Sequence, residues 1–315
     1  MILEVQHETR LDYTLPVSEW MTELRMQPAS DDYQSCHSFH LMVSQPTTVF
    51  YYLDGFGNRV HHFNLLAPHQ QVRLLAASVV ETTERASDLA DSAAMFPLDL
   101  NTAGCEIMDF LPFRGPVCDT PLLRPILAAL APNPDEHVGV WISRVGQWIA
   151  ARFEYARYVT DAASPIDDLL EKGKGVCQDF AHLMIAIMRS HGVPARYVSG
   201  YIHRPNAESQ SHAWCEMWLP DMNWVGYDPT NSCQVDDYFV RVAAGRDYTD
   251  VPPNKGTHRG QGLETIAVRV ATRELARVPA LSWHERLPPL DVPLTSLIRP
   301  RPRAESDEQA QQQQQ

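Results

Sequence analysis

Three residues far apart in the chain, Cys177, His212 and Asp228, have the types that nucleophilic acyl chemistry requires. A thiol attacks an amide carbonyl well only as the thiolate, so it needs a base beside it and a group behind that base to fix its tautomer. Cys177 follows the glycine-rich run Lys172-Gly173-Lys174-Gly175-Val176. From there Val176, Phe180, Leu183, Met184, Ile187 and Met188 recur at three-and-four spacing. That pattern predicts a helix with one buried face, closed at His191-Gly192 with Pro194 just beyond. A cysteine in its first turn meets unpaired backbone N–H groups and the positive end of the helix dipole, which favour thiolate over thiol. The plainer reading of such a cysteine is a small buried hydrophobe.

Downstream the apolar period switches to two. Residues 196–202, 213–219 and 224–227 read as strands, with Pro220-Asp221-Met222-Asn223 as the turn joining the last two. His212 starts one of these strands and Asp228 ends the other, and in an antiparallel hairpin those positions share one end. Pairing Leu219 with Trp224 would put the two side chains on opposite faces, so an odd-length loop or a β-bulge is expected. Singly, His212 reads as a loop histidine and Asp228 as a turn cap. Together with Cys177 they supply one residue for each role. Cys177 attacks the carbonyl, His212 holds the ion pair and later protonates the leaving group, and Asp228 orients His212.

The elements that must position these residues follow from the rest of the chain. Residues 1–85 read as a β-rich N-terminal domain, with Leu3, Val5, His7, Thr9, Leu11 and Tyr13 alternating as in a half-buried strand. Further strands are expected over 38–43, 48–53, 60–64 and 72–80, with Asp54-Gly55-Phe56-Gly57-Asn58 as a hairpin turn. Residues 86–136 form a Pro- and Ala-rich helical or irregular bridge. The catalytic core is expected over 137–286. It opens with a long helix that turns Val138, Trp141, Ile142, Val145, Trp148, Ile149 and Phe153 to one side, and a second helix starts at Ser164-Pro165 and ends at Gly173. Residues 262–272 alternate as one more strand, and the Pro/Gln-rich tail 287–315 has too little apolar content to order itself. The fold class is therefore α+β, with helices packed on an antiparallel sheet behind a β-rich domain.

A chain of 315 residues that is 44% hydrophobic and 21% charged has the composition of a soluble globular protein. Its net charge of −13 argues against nucleic acid and anionic membranes as partners. No run approaches a membrane span, and no basic start followed by an apolar run marks a signal peptide, so cytoplasm is the expected compartment. The six cysteines form no Cys-x-x-Cys pair, so neither a disulfide framework nor a zinc cluster is expected. The pairs Cys36-His37 and His61-His62 have the wrong spacing for a closed metal site, and a site combining His61 and His62 with His182 is remote. No metal or cofactor is expected.

The segments Gly175-Val176-Cys177-Gln178-Asp179-Phe180-Ala181-His182, Ser211-His212-Ala213-Trp214 and Trp224-Val225-Gly226-Tyr227-Asp228-Pro229-Thr230-Asn231 resemble the bacterial transglutaminase-like family. So do Pro194-Ala195-Arg196-Tyr197-Val198-Ser199-Gly200-Tyr201 and the run Gly245-Arg246-Asp247-Tyr248-Thr249-Asp250-Val251-Pro252. At the front, Leu24-Arg25-Met26-Gln27-Pro28, Asp54-Gly55-Phe56-Gly57-Asn58 and Pro68-His69 resemble the N-terminal domain that often precedes this core. The resemblance implies a papain-like core carrying Cys, His and Asp in this order, and a peptide or amide-bearing substrate. Gln178 stands where the calcium-dependent cross-linking enzymes carry tryptophan, and no oxygen-rich loop resembles a calcium site. The implied activity is therefore hydrolysis of amide or peptide bonds through a thioester, with two alternatives: acyl transfer to an amine, or a non-catalytic peptide-binding module. The backbone N–H of Cys177 is the first oxyanion donor expected, and Tyr155, from the end of the preceding helix, is the candidate for a second. Asp179 either supports the helix start or opposes the thiolate by repulsion. Cys215 reads as packing.

Overall fold

The computed structural model describes residues 1–84, 87–101, 103–161, 164–205, 209–279 and 299–300. The strands β1 (Ile2–Leu24), β2 (Gln34–Val43), β3 (Phe50–Leu53), β4 (Arg59–Leu65) and β5 (His69–Thr82) come first. Short helices α1 (Cys105–Met108) and α2 (Leu123–Ala129) lead to the long α3 (Val138–Arg152). The segment around the candidate nucleophile is β6 (Glu154–Tyr155), α4 (Ile166–Lys172), β7 (Lys174–Gly175) and α5 (Cys177–Ser190). The chain continues through β8 (Ala195–Ile202), β9 (Gln210–Leu219), β10 (Asn223–Asp228), β11 (Cys233–Gln234) and β12 (Phe239–Gly245). It returns through β13 (Asn254–Arg259), β14 (Glu264–Glu274) and β15 (Arg299–Pro300). No helix among the described residues is long and apolar enough to cross a membrane.

The strand that begins at Ile2 runs on to Leu24 as β1, which holds the first sheet together. Its first half pairs antiparallel with β5 and β14. The register breaks between Asp12 and Val17, a stretch containing Pro16, which has no N–H to give a ladder. Beyond it β1 pairs with β4 and β13, and the sheet curls. Leu11, Trp20, Leu24, Phe63 and Leu74 fill the curl with a core of their own, whereas Leu3, Val5 and Val80 join the helical core. The strand expected over 262–272 is present as β14, but its partner is β1 rather than the core sheet. Alternation defines the two faces of a strand and says nothing about which edge receives it.

The second sheet has the order β11-β10-β9-β8-β12, antiparallel throughout. Helix α5 packs on it, its Phe180, Met184 and Ile187 sharing one core with Ala213, Cys215 and Met217. Sequence spacing implied one buried face for α5. Instead every residue from Asp179 to Arg189 is buried, because α3 and α4 cover the side turned away from the sheet. Most of the polar groups this traps are paired, and His182 Nδ1 is the exception on this helix. Arg189 donates to the carbonyls of Pro112, Ala195 and Arg246, and His182 Nε2 accepts from the backbone N–H of Tyr248 at 3.2 Å. Such pairing is what makes a buried polar group tolerable.

Strand β12 lies at an edge of the second sheet, and two side-chain amides from the first domain cap it. Asn58 donates to Ala244 O and accepts from Ala244 N, both at 2.8 Å. Gln34 makes the same pair of bonds with Arg241, each at 2.8 Å. Asp54 holds Asn58 in place, accepting from its backbone N–H at 3.0 Å and its amide at 3.1 Å. The turn Asp54–Asn58 thus closes an edge that would otherwise invite another strand. Most of the tail expected to be disordered lies outside the described residues. Its Arg299–Pro300 pair with Ile266 and Thr265.

Candidate active site

The position of Cys177 is set by the loop in front of it. Helix α4 ends at Gly173 in the left-handed conformation (φ +67°), its N–H bonded to Leu169 O, a cap that glycine adopts without strain. The next residues form a two-residue parallel ladder in which Tyr155 lies beside Gly175. A Cβ on Gly175 would stand 2.7 Å from Asp179 Oδ2 and 2.9 Å from Leu169 Cδ1, so no larger residue fits without displacing the loop. Asp179 resolves the ambiguity of its sequence position. Its Oδ2 accepts from Val176 N–H at 2.7 Å and from Thr160 Oγ1 at 2.6 Å, so the carboxyl holds the loop that delivers Cys177. Burial pushes its pKa up, against those two bonds.

The hairpin that carries His212 and Asp228 has the odd loop its alternation requires. Leu219 pairs with Asn223 across the three residues Pro220, Asp221 and Met222, with Asn223 at φ +59°. That register sets Asp228 level with Trp214, on the face His212 shares. His212 Nε2 meets Asp228 Oδ2 at 2.7 Å, which leaves Nδ1 as the ring's other nitrogen, and Cys177 is close enough to raise the pKa of the ring. Trp214 stacks on the ring at 6.4 Å. Burial disfavours the imidazolium, but Cys177 and Asp228 together outweigh it and hold the pKa up at about 10.

Asp228 is fully buried, and both its oxygens are used. Oδ1 accepts from Thr230 N–H at 2.8 Å and Asn231 N–H at 3.3 Å, and Oδ2 accepts from His212 and the Asn231 amide. These bonds overcome burial and keep the carboxyl below its usual range. Asn231 was given no role in the sequence reading, although it lies three residues beyond the aspartate. The signal was chemical: an ionised carboxylate in a protein interior needs donors for its remaining lone pairs. Asn231 Oδ1 in turn accepts from Arg204 at 2.8 Å.

Tyr155 is not on the preceding helix, which ends at Arg152, but on β6. It is 45% exposed, and its ring meets Phe180 edge-on at 6.5 Å. Burial of the hydroxyl and the neighbouring Cys177 push its pKa up, against the pull of Arg157. Cys215 packs in the core and its Sγ contacts Tyr227 O at 3.3 Å. Three histidines of the first domain lie against a ring or a carboxylate. His61 packs on Phe39 at 4.9 Å, His62 on Phe50 at 5.6 Å, and His37 bonds Glu81 at 2.8 Å. Cys36 Sγ contacts Ser38 O at 3.4 Å. Among the described residues no group of three or more metal-ligating side chains converges.

Comparison with known proteins gives the family and the fold. Residues 134–229 match the transglutaminase-like superfamily, and residues 3–81 match the bacterial transglutaminase-like N-terminal region. An uncharacterized protein of Mycobacterium leprae is 32% identical over 284 residues, 87% of this chain and 99% of that protein. A protein-glutamine gamma-glutamyltransferase of Pseudomonas aeruginosa is 34% identical over 82 residues, 22% of this chain and 12% of that enzyme. A candidate cysteine protease from Cytophaga hutchinsonii shares the fold, with a TM-score of 0.74 at 22% identity over 89% of this chain and 93% of that one. The chain belongs to the transglutaminase-like superfamily and carries the bacterial N-terminal region in front of its core.

Proposed function

We propose that the protein is a cysteine hydrolase of amide or peptide bonds, working through a thioester on Cys177. One observation carries this reading: His212 is bonded through Nε2 to the buried Asp228 at 2.7 Å while its other nitrogen is left for a cysteine at a helix start. The arrangement favours a thiolate–imidazolium pair. The thiolate attacks the carbonyl carbon, an S–C bond forms, and the oxyanion is met by the backbone N–H of Cys177 and the hydroxyl of Tyr155. Collapse breaks the C–N bond, and His212 gives its proton to the departing amine. Water then attacks the thioester as His212 takes its proton, releasing the acid and regenerating the thiolate. Asp228 keeps the imidazole in one tautomer and orientation throughout.

The test has two parts. Limiting iodoacetamide at pH 5.5 is expected to modify Cys177 ahead of the other five cysteines. Turnover of a mixed peptide-anilide library is expected to vanish in Cys177→Ser. Uniform slow labelling with no turnover would leave a peptide-binding cleft in place of an enzyme. A second reading, acyl transfer, is favoured by the similarity to a glutamine γ-glutamyltransferase. Adding a primary amine separates the two: amide product in place of acid assigns transfer.

A further inference from the structure

The chain carries −13, yet two exposed arginines bracket the candidate nucleophile. Arg157 stands on the side of the cysteine loop, two residues beyond Tyr155, which pairs with Gly175. Arg204 stands on the side of the histidine, donating to Asn231, whose amide holds Asp228. The Tyr155 hydroxyl feels both sides, its pKa raised by burial and Cys177 and lowered by Arg157 and Arg204. Of the carboxylates nearby, Glu154 pairs with Lys174 at 2.8 Å and Asp168 with Lys172 at 2.7 Å, Asp179 takes the Val176 N–H and the Thr160 hydroxyl, and Asp228 has its own donors. The mouth of the site therefore offers two guanidinium groups, whose planar fork matches a carboxylate.

We infer that the site takes amides bearing a carboxylate close to the scissile bond, received by Arg157 and Arg204. The inference rests on Cys177 being the nucleophile and adds the substrate class. A substrate built of amino acids supplies such a carboxylate from an acidic side chain or from a chain end.

Two alkylators of different charge test it on the full chain. Iodoacetate and iodoacetamide react by one step, an S–C bond forming as iodide leaves, and differ in a carboxylate against a neutral amide. Rate constants are read at the Cys177 peptide by mass spectrometry, and each variant's iodoacetamide rate is its own reference. The iodoacetate-to-iodoacetamide ratio is expected to fall about three- to tenfold in Arg157→Gln and in Arg204→Gln, and further in the double variant. An unchanged ratio in the double variant overturns the inference. Equal slowing by both reagents in Arg204→Gln would make that residue a positioning group acting through Asn231, and overturn its share. N-acetylglutamate α-amide and N-acetylglycine are then tried as protectants against iodoacetamide. Protection by the first assigns a side-chain carboxylate, protection by the second assigns a chain end, and protection by neither counts against recognition. A Cys177 that reacts with iodoacetamide no faster than the other cysteines defeats the proposed nucleophile instead, whatever the ratio.

Discussion

His182 and His212 are both buried, the first in the middle of α5 and the second beside its N-terminal cysteine, yet their chemistry is opposite. The His182 ring lies against Tyr197 at 4.9 Å and accepts one backbone N–H. Burial pulls its pKa down to about 3, and the charge of Arg189 pushes the same way. His212 pays a similar desolvation but faces Cys177 and Asp228, and is held up at about 10. Burial alone thus lowers the pKa of a histidine, and the two partners Cys177 and Asp228 raise it in spite of burial. The partner, not the depth, decides.

The largest effects should come from breaking the reactive side. Cys177→Ser and His212→Ala are each expected to lower amide turnover by about 10³-fold or more. His182→Gln should leave turnover near the parent and cost about 1–2 kcal/mol in urea unfolding. Equal losses in the two histidine variants would erase the contrast.

The pH dependence sharpens it, because the two signs differ. His212 has its pKa raised, so its contribution to stability is complete below pH 6.5 and is lost as pH rises through about 10. Turnover should show an alkaline limb near the same value. His182 has its pKa lowered, so the folded state loses stability as pH falls from 6.5 toward 3, where the unfolded chain binds the proton first. Urea midpoints across pH, compared with those of His212→Ala and His182→Gln, separate the two slopes.

A smaller effect is expected from Asn231→Ala, which removes a donor from Asp228 and should cost roughly tenfold in turnover, with the alkaline limb displaced. The smallest belongs to Asn58→Ala at the capped edge of β12. There a loss of about 1–2 kcal/mol in unfolding should leave the Cys177 alkylation rate at its parent value.

The site was legible in the sequence where local chemistry is enough to define a place. Gly173, Gly175 and the apolar repeat after Val176 put Cys177 at a helix start, and alternation either side of Pro220 put His212 and Asp228 at one end of a hairpin. Even the odd loop followed from the two-residue period. Tyr155 was placed on the wrong kind of element, because nothing local distinguishes the last turn of α3 from a two-residue strand stabilised by the Cys177 loop. Arg204 was missed because its contact is with Asn231, 27 residues along the chain, whereas Asn231, three residues from Asp228, could have been found from the lone pairs of a buried carboxylate.

What the amino-acid sequence determined by itself was periodicity: which segments are helix or strand, where each stops, and which side chains share a face. These follow from φ/ψ preferences and side-chain spacing within a few residues. Tertiary structure alone decided the partners. It sent β14 back to β1, buried α5 on every side, closed the edge of β12 with Asn58 and Gln34, and set His182 against a tyrosine. Hydrogen-bond and electrostatic energies depend on distance through space, and separation along the chain does not report it.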